Sequence, residues 1–129
     1  MNIDFLLTIV ESFAKGNFVT ITTDERSDHF YEMIATHSNG KEMVSFQAWL
    51  DPFAKSHRGN KYISISIKYY GRPVAYTCWR TGTEPTAEQT KIFKIRQLLT
   101  DRLKIQQMYE SLYKKAVFLE MQKTRHLKR

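Results

Sequence analysis

Aromatic and cationic side chains recur through the middle of the chain, in the combination that binds the bases and phosphates of nucleic acid. Trp49, Tyr62 and Trp79 are separated by short segments that contain lysine and arginine. Aromatic rings stack on bases at about 1–3 kcal/mol each, and lysine and arginine contact the phosphates of a single strand. The candidate binding residues are Phe30, Trp49, Lys55, His57, Arg58, Lys61, Tyr62, Lys68, Trp79 and Arg80.

Residues that could carry catalysis or hold a metal form no recognisable pattern. The 4 histidines lack the spacing of metal ligands. The chain has no P-loop, dinucleotide-binding, nucleophile-elbow or zincin motif. The single cysteine, Cys78, is expected on the apolar face of a strand, where it would serve as a small core residue. The residues therefore predict a binding protein without metal or cofactor, rather than an enzyme.

The positive charge of the chain is concentrated in its C-terminal third. The net charge is +7, and residues 1–83 hold 9 Lys/Arg against 8 Asp/Glu, whereas residues 84–129 hold 11 against 5. A basic segment favours nucleic acid or an acidic protein surface as the partner. The chain is therefore expected to bind nucleic acid, with single strands favoured, or an acidic protein surface.

The N-terminal segment and the cysteine content suggest a soluble, cytoplasmic protein. The sequence MNIDFLLTIVESF has no basic leader, and no segment reaches the ~18 apolar residues of a membrane-spanning helix. One cysteine cannot form a disulfide within the chain, which suits a reducing compartment. No membrane partner is expected.

Apolar periodicity predicts a helix at the N-terminus and a strand after it. Residues 3–14 carry apolar side chains at helical spacing, and Asn2 or Asp4 can cap the first turn. Residues 18–23 are a β-branched run, which is typical of a strand. The polar residues 24–28 predict a turn.

Residues 30–50 read as the first of two β-hairpins. Asn39-Gly40 is a strong hairpin signal, and a two-residue turn there pairs Phe30 with Trp49 on the less apolar face. Ser27 followed by a partly apolar run leaves a short helix as the alternative.

The second hairpin is predicted to follow an irregular loop over residues 51–60. A two-residue turn at Gly71-Arg72 pairs Ser64 with Trp79 on the mixed face and turns Cys78 toward the core. A slip of one residue would exchange the two faces of the strand.

The C-terminal third predicts a long helix. Thr86 and Gln89 form a capping box, and no glycine or proline follows before residue 125. A continuous helix of that length, about 60 Å, must project beyond the sheet unless it breaks near Thr100-Asp101. Residues 123–129 form a basic tail. A heptad seam for self-association, as in a homodimer, is predicted at Leu98, Ile105, Leu112 and Leu119.

These elements predict one α+β domain over residues 1–129, with an N-terminal helix, a five-stranded antiparallel meander and a long C-terminal helix that is either continuous or broken near Thr100-Asp101. In a meander, the candidate aromatic residues meet at one end of the sheet, on the face away from the core. The alternative is that a helix covers this face and that the aromatic residues are a small second core.

The leading functional hypothesis is a small, basic, non-enzymatic protein that binds nucleic acid through this aromatic and basic end of the sheet and its basic C-terminal helix. The alternative is an adaptor or inhibitor that docks on an acidic surface of a larger protein. A third hypothesis is a structural protein that assembles through the heptad seam.

Overall fold

The computed structural model is an α+β fold in which two helices pack on one face of a five-stranded antiparallel sheet. The strands follow one another in the order β1-β2-β3-β4-β5, so the predicted fold class and meander are confirmed. The elements are α1 (Ile3–Ala14), β1 (Val19–Ser27), β2 (Phe30–His37), β3 (Glu42–Lys55), β4 (Lys61–Tyr69), β5 (Arg72–Arg80) and α2 (Ala87–Leu127).

The structure describes residues 2–14, 19–27, 29–55 and 61–127. For residues 14, 26–27, 51–55 and 124–127 it describes the backbone alone.

Helix α1 occupies the residues that its apolar periodicity predicts. The Asn2 side-chain oxygen accepts the Phe5 N–H at 2.9 Å, so Asn2 is the N-cap. Leu6, Val10 and Phe13 are buried on one stripe of this helix. They join the same core as the inward-facing residues of the sheet and of α2, which places α1 on the covered face.

The core lies between the two helices and one face of the sheet. Successive residues of a strand point to opposite faces, so alternate positions of each strand enter the core. Met33, Phe46 and Ile67 are fully buried on neighbouring strands, and Ile92 and Leu99 of α2 close over them.

The first hairpin has the predicted register but a different turn. Phe30 pairs with Trp49 and Met33 with Phe46, as expected. The Gly40 N–H bonds to the carbonyl oxygen of His37 at 2.8 Å, which closes a three-residue loop with Gly40 at a φ of 86°. A bulge after Ala35 restores the register that a two-residue loop would have produced.

The predicted register of the second hairpin is wrong by one residue. The turn is Tyr70-Gly71, with φ of 48° and 78°, as a type I′ turn requires. A bulge between Ile67 and Lys68 follows, so Ile63 pairs with Trp79, and Ser64 pairs with Cys78. This slip exchanges the two faces of β5 relative to the prediction.

Two predicted loops are partly strand. β1 continues through residues 24–27, because Asp24 pairs with Glu32 of β2. β3 continues through Lys55, which pairs with Lys61, so residues 51–55 are not an irregular loop. The rest of that predicted loop lies outside the described residues. Strand β2 begins at Phe30, which excludes the short helix considered for this segment.

Helix α2 is continuous over 41 residues, about 60 Å, and does not break near Thr100-Asp101. Its start is the predicted capping box: the Gln89 N–H bonds to Thr86 Oγ1 at 3.1 Å, and the Thr86 N–H bonds to Gln89 Oε1 at 3.0 Å. Its last buried residue is Arg102, and every described side chain over residues 107–123 is exposed. The helix therefore projects beyond the sheet.

Helix α2 leaves the sheet along the edge strand β1. Gln106 accepts the Ile21 N–H at 2.9 Å and donates to the Ile21 carbonyl oxygen at 3.0 Å. The buried Arg102 donates to the carbonyl oxygen of Val19 at 3.0 Å. These side chains pair with backbone groups that an edge strand otherwise leaves unpaired. They fix the point at which α2 leaves the body, meaning the sheet together with α1 and the part of α2 that packs on it.

Candidate nucleic-acid interface

The face of the sheet opposite the helices, the open face, carries the aromatic residues that the sequence singles out, with one exception. Both described helices pack on the other face, so neither covers this one. The pairing of the strands aligns Phe30, Trp49, Ser64 and Cys78 in one row. Other members of the open face are Asp24, Glu32, Ile34, Ser45, Gln47, Tyr62, Ser66, Lys68, Tyr76 and Arg80.

The aromatic end of the open face is built on the first hairpin. The rings of Phe30 and Trp49 lie 5.8 Å apart between centroids, at an interplanar angle of 56°. Trp49 is 36% exposed, so part of its ring remains available to a ligand. Tyr62 and Arg80 are paired at the same end of the sheet, which places a phenol beside a guanidinium.

Trp79 lies on the covered face, contrary to the prediction. Its ring packs edge-on against Phe93 of α2, with centroids 5.1 Å apart, and its indole N–H donates to the carbonyl oxygen of Thr83 at 3.3 Å. The neighbouring Thr77 confirms this orientation, because its hydroxyl accepts the Gln89 side-chain amide at 3.0 Å. Neither described helix covers the open face, so the alternative of a small second core there is wrong. Trp79 is covered because it lies on the other face.

The slip of the second hairpin brings two residues to the open face that the sequence assigned to the core. Tyr76 is 68% exposed there, in line with Ser66 and Gln47. Cys78 is also exposed, which corrects its predicted place in the core. A turn at Tyr70-Gly71 alone would shift the pairing by two residues and leave the faces unchanged. The bulge between Ile67 and Lys68 exchanges the faces, and no local sequence signal announces it.

The predicted cations fall into two groups. Lys61, Lys68 and Arg80 are described: Lys68 lies half-buried on the open face, Arg80 is exposed at its aromatic end, and the exposed Lys61 begins β4 next to Tyr62. The backbone of Lys61 is held by Thr81, whose hydroxyl oxygen accepts the Lys61 N–H at 2.9 Å. The side chains of Lys55, His57, Arg58 and the basic tail beyond Lys123 lie outside the described residues.

Acidic groups occupy the middle of the open face. Glu32 is only 8% exposed, and its carboxylate accepts a hydrogen bond from the Gln47 side-chain amide. Asp24 stands beside it on β1. Negative charge in the middle repels phosphates, whereas Lys61 and Arg80 attract them. The electrostatics therefore favour a phosphate backbone along the aromatic end of the face.

A cavity of about 340 Å³ opens beside this end of the sheet, on the covered side. It is lined by Glu25, His29, Tyr31 and neighbouring apolar residues. Burial raises the pKa of the Tyr31 phenol, an effect that Arg96 opposes and Glu25 reinforces. The phenol is therefore neutral near pH 7 and serves as a packing residue with a polar tip rather than as a base.

The residues of the predicted heptad seam differ in burial on the two sides of the point where α2 leaves the sheet. Leu98 is half-buried and packs against the core, so it is already used within the chain. Ile105, Leu112 and Leu119 are 42%, 56% and 50% exposed.

Within the residues that the structure describes, no group of three or more His, Cys, Asp or Glu side chains is placed to hold a metal ion. Across the same residues, no helix is both long and apolar enough to cross a membrane. Comparisons with protein-family models, curated proteins and solved structures found no match. The interpretation of the open face therefore rests on its own residues.

Proposed function

We propose that this protein is a small, non-enzymatic accessory protein that binds single-stranded nucleic acid on the open face. The observation that carries the proposal is the placement of α1 and α2 on one face, which leaves Trp49, Tyr62 and Tyr76 on the other. Aromatic side chains on a sheet face offer a surface on which successive bases can stack.

The strand would follow the aromatic end of the sheet. Bases stack on Trp49 and Tyr62, while Lys61 and Arg80 contact the phosphates next to them. Tyr76 extends the surface toward β5. The basic C-terminal segment that contains α2 adds long-range attraction, since lysine and arginine outnumber acidic residues by 11 to 5 over residues 84–129.

The two tryptophans provide the test, because they lie on opposite faces. The Trp79→Phe variant retains Trp49 as the only fluorophore, and the Trp49→Phe variant retains Trp79. We expect a short oligothymidylate to quench the first variant to saturation and to leave the second nearly unchanged. The affinity should fall with salt, at a log–log slope of about 0.7 per phosphate contact. Quenching of Trp79 alone, or of neither residue, would refute binding at this face.

Alanine variants measure the contribution of single rings. Trp49→Ala and Tyr76→Ala should each weaken oligothymidylate binding by about 1–3 kcal/mol. Tyr113→Ala is the matched control, because Tyr113 is 72% exposed but lies on the far part of α2. Equal losses in all three variants would show that exposed tyrosine and tryptophan attract the strand without forming a site.

The second candidate is an adaptor or inhibitor that uses the same face to dock on an acidic protein surface. Exposed tryptophan, tyrosine and arginine favour it, since these residue types dominate binding energy at protein interfaces. Affinity capture from the parent cells separates the two functions. A protein partner that is retained after nuclease treatment and lost in Trp49→Ala would support the adaptor.

The location that fits either function is the cytoplasm. The single cysteine is exposed on the open face, where a reducing compartment keeps it a free thiol. Cell fractionation with an epitope-tagged chain tests this part of the proposal.

A further inference from the structure

The part of α2 that projects beyond the sheet exposes many large apolar side chains. From Ile105 onward, nine large apolar side chains are 39–72% exposed: Ile105, Met108, Tyr109, Leu112, Tyr113, Val117, Phe118, Leu119 and Met121. Monomers rarely expose contiguous apolar patches beyond a few hundred Å², and larger ones mark interaction sites. Helices of this length also depend on packing for most of their stability. This segment is therefore a candidate interaction surface.

Four of these nine residues have the spacing of a coiled-coil seam. Ile105, Leu112 and Leu119 occupy the d position of consecutive heptads, and Tyr109 and Ala116 occupy the a position. Apolar a and d positions form the seam of a two-stranded coiled coil, in which each side chain fits between residues of the facing helix. Helix α2 thus carries an apolar seam from Ile105 to Leu119 beyond the body, and Lys123 occupies the next a position.

The anchor of α2 leaves this seam free. Gln106 faces the β1 edge, where it is bonded to Ile21. Ile105 precedes Gln106 by one residue, which turns its side chain by about 100° around the helix axis. Arg102, the a position before Tyr109, is buried and bonded to Val19, so the seam is clear of β1 only beyond the anchor, where every described side chain from 107 to 123 is exposed.

The charges beside the seam favour a parallel arrangement of two copies. Lys115 occupies a g position and Glu120 the following e position. In a parallel pair, a g residue faces the e residue of the next heptad on the other helix, so Lys115 meets Glu120 of the second copy, twice by symmetry. Met108 and Tyr113 have the same relation and form an apolar pair. An antiparallel pair joins g to g and e to e, which offers Lys115 no acidic partner.

We propose that two copies of this chain form a parallel homodimer through residues 105–123 of α2. The dimer does not depend on nucleic-acid binding, because its seam and the open face lie on different elements. Sedimentation equilibrium of the full chain should show a reversible monomer–dimer equilibrium. A monomer at the highest soluble concentration would overturn the proposal.

Charge exchange tests the contact between the copies. Lys115→Glu places glutamate against Glu120 of the other copy, and Glu120→Lys places lysine against Lys115. Each variant alone should dimerise at least about tenfold more weakly than the native chain, since two attractive pairs become repulsive. An equimolar mixture of the two variants should recover the native affinity, because both of its interchain pairs are opposite in charge. Weakening without recovery in the mixture would reject the parallel register.

Disulfide trapping tests the orientation independently. In a Cys78→Ser background, Lys123→Cys places a thiol at an a position, where the two copies of a parallel dimer approach each other. Oxidised glutathione should then link the dimer. Met121→Cys is the control, because it lies at the outward f position and should link poorly. Equal linking at both positions, or linking at neither, would contradict a parallel seam.

Discussion

The two halves of α2 have one helical geometry and two environments. Over residues 87–106 the helix buries Ile92, Ile95 and Leu99 against the sheet and α1. Over residues 107–127, the projecting half, every side chain described up to residue 123 is exposed, including leucine, tyrosine and phenylalanine. Apolar content alone does not decide which half enters the core.

The difference between the halves follows from the size of the sheet. Neighbouring strands lie about 4.8 Å apart, so five strands offer roughly 20–25 Å of width to a helix of about 60 Å. The body can cover only the first half, whatever residues follow. The apolar residues of the second half are therefore surface residues of the monomer, and their burial needs another chain.

The largest expected effect comes from one substitution made in both halves. Leu99→Ala should lower the free energy of unfolding by about 2–5 kcal/mol, because Leu99 is fully buried. Leu112→Ala should change it by less than about 0.5 kcal/mol in dilute protein, because Leu112 is exposed. Both changes have the same effect on helix propensity, so urea unfolding of the two variants isolates the contribution of tertiary packing.

The difference between these two variants in unfolding free energy should depend on protein concentration. When the chain is concentrated enough to dimerise, the cost of Leu112→Ala should grow, and that of Leu99→Ala should not. A large cost for Leu112→Ala in dilute, monomeric protein would mean that the projecting half packs on its own body.

A smaller effect is expected at the boundary between the halves. Gln106→Ala removes both hydrogen bonds to Ile21 and should cost about 1–3 kcal/mol. The Ile21 amide should then exchange with deuterated solvent faster than in the native protein. Gln107→Ala is the matched control, because Gln107 is exposed on the next position of the helix. Similar exchange in both variants would show that Gln106 does not protect the β1 edge.

The smallest effect is expected at the ion pairs between α1 and α2. Lys91 Nζ lies 2.7 Å from an Asp4 carboxylate oxygen, but the two side chains are 40% and 63% exposed. Lys91→Ala should therefore cost less than about 0.5 kcal/mol in thermal or urea unfolding. A loss comparable to that of Leu99→Ala would mean that ion pairs, and not buried apolar side chains, hold residues 87–106 of α2 against the rest of the fold.

The two hairpins show how far local signals determine pairing. Asn39-Gly40 predicted the correct register of the first, although the loop has three residues and a bulge compensates for the extra one. In the second, the turn at Tyr70-Gly71 and a bulge near Pro73 shift the pairing by one residue. Turn residues thus place a hairpin, but a bulge can change its register without a local sequence signal.

The sequence placed a candidate residue on the correct face wherever it predicted the alternation of its strand correctly. Phe30, Trp49 and Tyr62 lie on the open face because the first hairpin and the start of β4 have the expected alternation. Trp79 and Tyr76 exchange faces because β5 has the opposite alternation. Because side chains alternate between the two faces of a strand, a register shift of one residue moves every side chain to the other face. The sequence of an edge strand constrains this register weakly.

By itself, the sequence determined the α+β class, the meander, the capping box of α2 and the lack of any helix-breaking residue along that helix. These features depend on periodicity, turn residues and the absence of glycine and proline, which act over a few neighbouring residues. Only the tertiary structure decided which face of β5 meets the helices, and where along α2 burial ends. Those outcomes depend on strand register and on the width of the sheet, which arise from contacts between segments far apart in the chain.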